Sequence, residues 1–193
     1  MLVLKNRFIF LCTPRTGSRA IVNALKTLGD AKESREHHVH PEDVKSTAES
    51  LFSGSGDLPM VTIIRDPYDQ TLSWFGHAVL RHEPEKHTEK DFADFIKSRS
   101  IGWYFHDKLN PYLGGETHVH AERFRRSGLQ LTLSNLLGHV NSRTGTRMTA
   151  PKLSRVGGGF SPKRTLLTEK TRSLIEARFP EDIRLWNSLR ERD

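Results

Sequence analysis

The sequence predicts an α/β fold with a mainly parallel central sheet flanked by helices. Two apolar runs, Phe8–Cys12 and Met60–Ile64, are continuous and too short for most helices. Each is followed at once by turn formers and then by apolar residues at helical spacing. Strand, loop and helix in that alternation indicate parallel strands covered on both faces. At 193 residues the chain is read as a single domain, 1–193, with one sizeable core.

The elements follow in order. Phe8–Cys12 is the first expected strand, and Thr13-Pro14-Arg15-Thr16-Gly17-Ser18 breaks it. Ala20, Ile21, Ala24, Leu25 and Leu28 then share a helix face, with Gly29 as its stop. Ala31 to Val39 holds a short strand leading into Glu36-His37-His38-Val39-His40. Pro41 opens a helix carrying Val44, Ala48 and Leu51, and Ser53 to Asp57 is a loop. Met60–Ile64 is the clearest strand. Asp66 and Pro67 are N-cap and first residue of the next helix, whose stripe is Tyr68, Leu72, Phe75 and Val79.

The second half is less regular. Arg81 to Lys90 reads as an exposed connection, and Thr88 with Asp91 has capping-box spacing ahead of Phe92, Phe95 and Ile96. Ile101 to Glu116 is irregular, of the kind that carries substrate contacts, and Thr117 to Phe124 supplies another strand. Leu129, Leu133, Leu136 and Leu137 mark a helix ending near Gly138. Asn141 to Arg164 is basic and Gly-rich, a loop. Two helices close the chain, one with Leu174, Ile175 and Phe179, the other with Ile183, Trp186 and Leu189.

Composition narrows the partners. Thirty basic against 23 acidic side chains give a net charge of +7, which suits a polyanionic ligand or a phosphate-rich cofactor. One cysteine, Cys12, excludes an internal disulfide and any thiol cluster. A mean hydropathy of -0.56, no apolar N-terminal leader and no run of spanning length predict a cytoplasmic protein with no membrane partner.

Two stretches carry chemistry. The first is Thr13 to Arg19, where a polar loop between strand and helix aims backbone N–H groups and a positive helix end at an anion. An ordinary strand-to-helix connection is the plainer alternative. The second runs from Arg65-Asp66-Pro67 to Ser73, in which a guanidinium at a strand end and a hydroxyl two turns on can grip a phosphate. Here the alternative is a structural pair of Arg65 with Asp66 or Asp69.

Together the two motifs resemble the sulfotransferases that use 3′-phosphoadenosine 5′-phosphosulfate. In that family a P-[KR]-[ST]-G-[ST] loop holds the 5′-phosphosulfate, and R-[DN]-P-x-D-x-x-x-S binds the 3′-phosphate. Pro14-Arg15-Thr16-Gly17-Ser18 and Arg65 through Ser73 match in order, residue type and context. Leu167-Thr168 through Glu181-Asp182-Ile183 to Leu189 also looks like the closing helices of the small bacterial and viral members, whereas Arg81 to Arg164 matches loosely.

The resemblance implies a three-layer P-loop-like domain and sulfuryl transfer to a hydroxyl, or less readily an amine, of a small-molecule or glycan acceptor. Pro14, Arg15, Thr16, Gly17, Ser18 and Arg19 would hold the phosphosulfate, with Arg15 as catalyst where many members have Lys. Arg65 and Ser73 would hold the 3′-phosphate. Arg155, Gly157, Lys163 and Arg164 fall where larger members close a loop over that phosphate, a plain exposed loop being the alternative.

The acceptor needs a base, and His has the pKa for it. Related small sulfotransferases carry such a His after the second strand, which makes His38 the first choice and His37 and His40 the next. His77 is read as structural. The His-x-His pairs His38/His40 and His118/His120 allow a zinc site only as a remote alternative, since no acidic or thiol ligand accompanies them, and no metal is expected. The chain lacks G-x-x-x-x-G-K-[ST], which argues against the rival reading as a P-loop-like nucleotide phosphotransferase or kinase. A basic nucleic-acid-binding protein ranks last, because the charge is dispersed.

Overall fold

The computed structural model describes residues 1–39, 43–98, 119–123, 128–154 and 162–190. They belong to two compact units, Met1–Ile64 with Lys108–Val156, and Arg65–Asp107 with Gly157–Asp193.

The first unit holds a five-stranded sheet in the order β3-β1-β2-β4-β5. Its strands are β1 (Leu2–Leu4), β2 (Phe8–Leu11), β3 (Ala31–Glu33), β4 (Met60–Ile64) and β5 (Val119–Arg123). β2 pairs with β4 and β4 with β5 in parallel, Ile9 opposite Met60 and Val61 opposite His120. β1 runs antiparallel to both β2 and β3, with Leu2 opposite Phe10 and Glu33.

The sheet is therefore mixed, a correction to the mainly parallel sheet expected. The cause is β1, a three-residue strand too short to carry a periodic signal of its own. Only Lys5-Asn6-Arg7 separate Leu4 from Phe8, too few residues for a parallel crossover, so the strands must form a hairpin. Asn6 takes φ 57 in that turn, a conformation Asn tolerates better than most residues.

Helices cover both faces. Because strand side chains alternate, Phe8 and Phe10 pack with Ile21 and Leu25 of α1 (Ser18–Leu25) and with Leu133, Leu136 and Val140 of α5 (Leu129–Thr144). Ile9 and Leu11 face the other way, onto Val44 and Ala48 of α2 (Val44–Leu51). Helix α5 does not stop at Gly138 as expected but continues to Thr144, so the first residues of the anticipated 141–164 loop are helical. An exposed mid-helix Gly costs only about 1 kcal/mol, less than the burial of Val140 beyond it returns. The stop is Gly145, at φ 68.

The second unit is helical: α3 (Pro67–Phe75), α4 (Glu89–Lys97), α6 (Glu169–Arg178) and α7 (Pro180–Arg190). Asp66 caps α3 by accepting from the N–H groups of Tyr68 and Asp69, at 2.8 and 3.2 Å. Thr88 and Asp91 form the capping box of α4. Phe75 is fully buried, its ring 5.2 Å from Phe92 and 5.3 Å from Phe95, with Leu72, Ile175 and Phe179 around them. Among the described residues no helix is long and apolar enough to cross a membrane.

Candidate functional site

The loop after β2 is held from below by buried hydroxyls. Thr13 Oγ1 donates to the carbonyl of Ile63 at 2.6 Å, and Thr62 Oγ1 donates to the carbonyl of Leu11 at 3.0 Å. Thr16 Oγ1 lies 3.0 Å from Thr13 Oγ1 and donates to the Thr13 carbonyl at 2.8 Å. Thr13, Thr16 and Thr62 are all buried, so these bonds form where water cannot compete and the loop is fixed to the sheet.

Two residues of the loop have left-handed backbone, Arg15 at φ 60 and Gly17 at φ 77. Gly17 adopts this without penalty, and it is the residue on which α1 opens. For Arg15 the conformation costs about 1–2 kcal/mol, which the surrounding hydroxyl bonds must offset. Arg15 is half-buried, and desolvation lowers its pKa below the ordinary arginine value. No side chain caps α1, and its first turn carries no acidic residue. The positive end of the helix dipole is thus not neutralised by a carboxylate of its own.

The segment after β3 comes back onto this loop. His38 Nδ1 bonds the Cys12 carbonyl at 2.7 Å. A carbonyl only accepts, so Nδ1 carries the proton and, in the neutral ring, Nε2 is the basic nitrogen. Burial lowers the pKa of His38, the Cys12 bond opposes that, and the charges of His37, the terminal ammonium and Arg19 lower it further. The Cys12 thiol itself is pushed up by burial, in keeping with an inert packing role.

His37 makes a second connection to the loop. Its Nε2 is 3.1 Å from Ser18 Oγ, and its Nδ1 is 2.9 Å from Glu33 Oε1. Glu33 Oε2 in turn meets Lys26 Nζ at 2.6 Å. Burial lowers the pKa of His37 against the opposing bond to Glu33. For Glu33 burial acts upward, but the bonds from Lys26 and His37 outweigh it and the pKa lies below the ordinary carboxylate value. The two rings, His37 and His38, meet edge to face with centroids 4.7 Å apart.

The fold thus brings together Arg15, Thr16, Gly17, Ser18, His37 and His38. Arg19, also expected here, is exposed on α1. His40, Arg155 and Gly157 lie outside the described residues. Glu33 and Lys26 were missed; they sit at strand and helix ends with no motif around them. The Cys12 carbonyl is a backbone group that no side-chain pattern reveals.

The second unit carries the other expected phosphate ligands. Arg65 and Ser73 are both half-buried, Ser73 on α3. Arg164 Nη2 binds Asp69 Oδ1 of α3 at 2.9 Å, so this residue of the late basic stretch is anchored on the Arg65–Ser73 segment. Lys163 is exposed beside it. His77 is exposed, 5.7 Å from Trp74.

Of the His-x-His pairs, His40 and His118 lie outside the described residues. His120 stacks on His139 of α5 with centroids 3.5 Å apart and planes at 9°. Among the described residues no group of three or more His, Cys, Asp or Glu is arranged to hold a metal ion.

Comparison with protein-family models, curated proteins and solved structures gives no match.

Proposed function

We propose that the chain is a sulfotransferase that moves a sulfuryl group from 3′-phosphoadenosine 5′-phosphosulfate to a hydroxyl or amine acceptor. What supports this most is a strained, half-buried Arg15 in an uncapped strand–loop–helix turn, together with a histidine tied through Nδ1 to the Cys12 carbonyl just ahead of that turn, so that Nε2 is its basic nitrogen. The order of the Pro14–Ser18 and Arg65–Ser73 motifs adds the identity of the nucleotide. The chain's residues suit such a ligand: the Arg15 guanidinium and the backbone N–H groups at the opening of α1, with no carboxylate in its first turn.

In this reading the acceptor oxygen attacks sulfur in line as the bond from sulfur to the 5′-phosphate oxygen breaks. His38 Nε2 takes the acceptor proton. Arg15 and the opening of α1 balance the negative charge that grows on the leaving phosphate. Arg65 and Ser73 hold the 3′-phosphate, and Arg164, tied to Asp69, stiffens the segment that carries them. The protein's part is positioning and charge balance, as in phosphoryl transfer.

Adenosine 3′,5′-bisphosphate tests the reading. At a hundredfold excess over its Kd it should stabilise the fold by about 2.7 kcal/mol. Arg65→Ala should remove most of that effect. If the melting temperature does not move at saturating nucleotide, the reading fails. Stabilisation by magnesium and ATP instead would turn the cradle into that of a phosphotransferase, and steeply salt-dependent binding of DNA or RNA would favour a nucleic-acid partner.

A further inference from the structure

Ser18, His37 and Glu33 form a chain of hydrogen bonds whose protons can be assigned. The Glu33 carboxylate, with its pKa lowered by Lys26 and His37 against burial, is ionised near neutrality and can only accept. His37 Nδ1 therefore carries a proton and donates to it across 2.9 Å. In the neutral ring Nε2 is then an acceptor, so across 3.1 Å it is Ser18 that donates. The single hydroxyl proton of Ser18 points at His37, and its lone pairs are what it offers to anything bound at the opening of α1. An anion arriving there would meet lone pairs rather than a donor.

Protonation of His37 reverses this. With Nε2–H donating to Ser18 Oγ, the hydroxyl proton is released to turn toward an anion, and the imidazolium adds a positive charge one bond behind it. We propose that Glu33, His37 and Ser18 are a proton relay that couples anion binding at the 13–19 loop to the uptake of one proton from solvent. This inference rests on the reading that the loop holds an anionic group of the nucleotide. His37 is then a positioning residue acting through Ser18, a different task from that of His38.

The groups facing His37 fit a ring poised to change state. Glu33 of β3 favours the charged form, while burial, the terminal ammonium before β1 and Arg19 of α1 disfavour it. His38 lies against it edge to face, and Lys26 is reached only through Glu33. Without an anion the terms against protonation prevail; a bound dianion adds a term of the opposite sign.

Calorimetric titration of the full chain tests the relay, using inorganic sulfate and adenosine 3′,5′-bisphosphate as separate probes in buffers of different ionisation enthalpy. Sulfate keeps its double charge throughout the neutral range, so any proton taken up belongs to the protein. Above the free pKa of His37, binding of sulfate should take up close to one proton and weaken about tenfold per pH unit. His37→Gln should bind with no uptake and no pH dependence, and Glu33→Gln should move the dependence to lower pH. Uptake that survives in His37→Gln, or that persists in full in Ser18→Ala, overturns the relay. Nucleotide that binds without His37-dependent uptake overturns it while leaving the sulfotransferase reading standing. Sulfate bound with uptake, alongside a nucleotide that fails to bind, supports the relay and removes the nucleotide reading. Failure of both probes at every pH overturns it as well.

Discussion

His38 donates from Nδ1 to the carbonyl of Cys12 across 2.7 Å, so the last residue of an apolar run determines which nitrogen of a histidine is basic. Cys12 cannot be read from sequence as a partner of His38, because the contact uses only its backbone.

If His38 is the base, transfer should depend on its neutral form. Burial lowers its pKa, so kcat at saturating nucleotide should climb with pH through a midpoint below the ordinary histidine value. His38→Ala should cut kcat by about 10²–10⁴-fold and leave the affinity for adenosine 3′,5′-bisphosphate within a few-fold. Full turnover in that variant would transfer the role to His37 or His40.

Arg15 joins a charge to a costly backbone, and two substitutions separate these properties. Arg15→Ala keeps the left-handed residue and loses the guanidinium, and transfer should fall by about 10²–10³-fold. Arg15→Gly should lose as much activity yet melt higher than Arg15→Ala, by the equivalent of about 1 kcal/mol, since Gly adopts φ 60 freely. Equal melting temperatures would mean that the loop relaxes when the side chain is removed.

The α3 cap should be measurable by denaturation. Asp66→Ala removes an acceptor for the N–H groups of Tyr68 and Asp69 and should cost about 1 kcal/mol of stability in urea. Asp66→Asn should recover most of it. Recovery by Asn would assign the effect to the hydrogen bonds rather than to the charge.

Acid should destabilise the chain in two stages. The pKa values of His37 and His38 are lowered on folding, so the unfolded chain binds more protons than the folded one just below about pH 6.5, and stability falls there. Glu33 is also lowered, so its contribution is present above the unfolded carboxylate pKa and is lost as pH falls through the folded one. Urea midpoints measured against pH should show both steps. His37→Gln should shrink the first and Glu33→Gln the second.

Much of the local structure was legible from residue pattern. The Asp66-Pro67 start of α3, the Thr88/Asp91 capping box and β4 all appear where the sequence predicts them, because caps and continuous β-branched runs act over a few residues. β1 was not, since Leu2-Val3-Leu4 is too short to announce itself and is stable only between β2 and β3. The true end of α5 was hidden for a related reason. Gly138 is a stop signal by propensity, and the core contacts of Val140 beyond it override that signal.

The sequence by itself determined the α/β alternation, the turn that opens α1 and the residue types gathered in it, because these depend on spacing within one segment. Tertiary structure alone decided the mixed sheet, the left-handed Arg15 and the partners of the two histidines. Those depend on contacts across the chain: Thr13 with Ile63, His38 with Cys12, and Ser18 with His37 and through it Glu33. A hydrogen bond between residues far apart in sequence leaves no period to read. Its energy depends on burial, and burial exists only once the sheet and its helices have assembled.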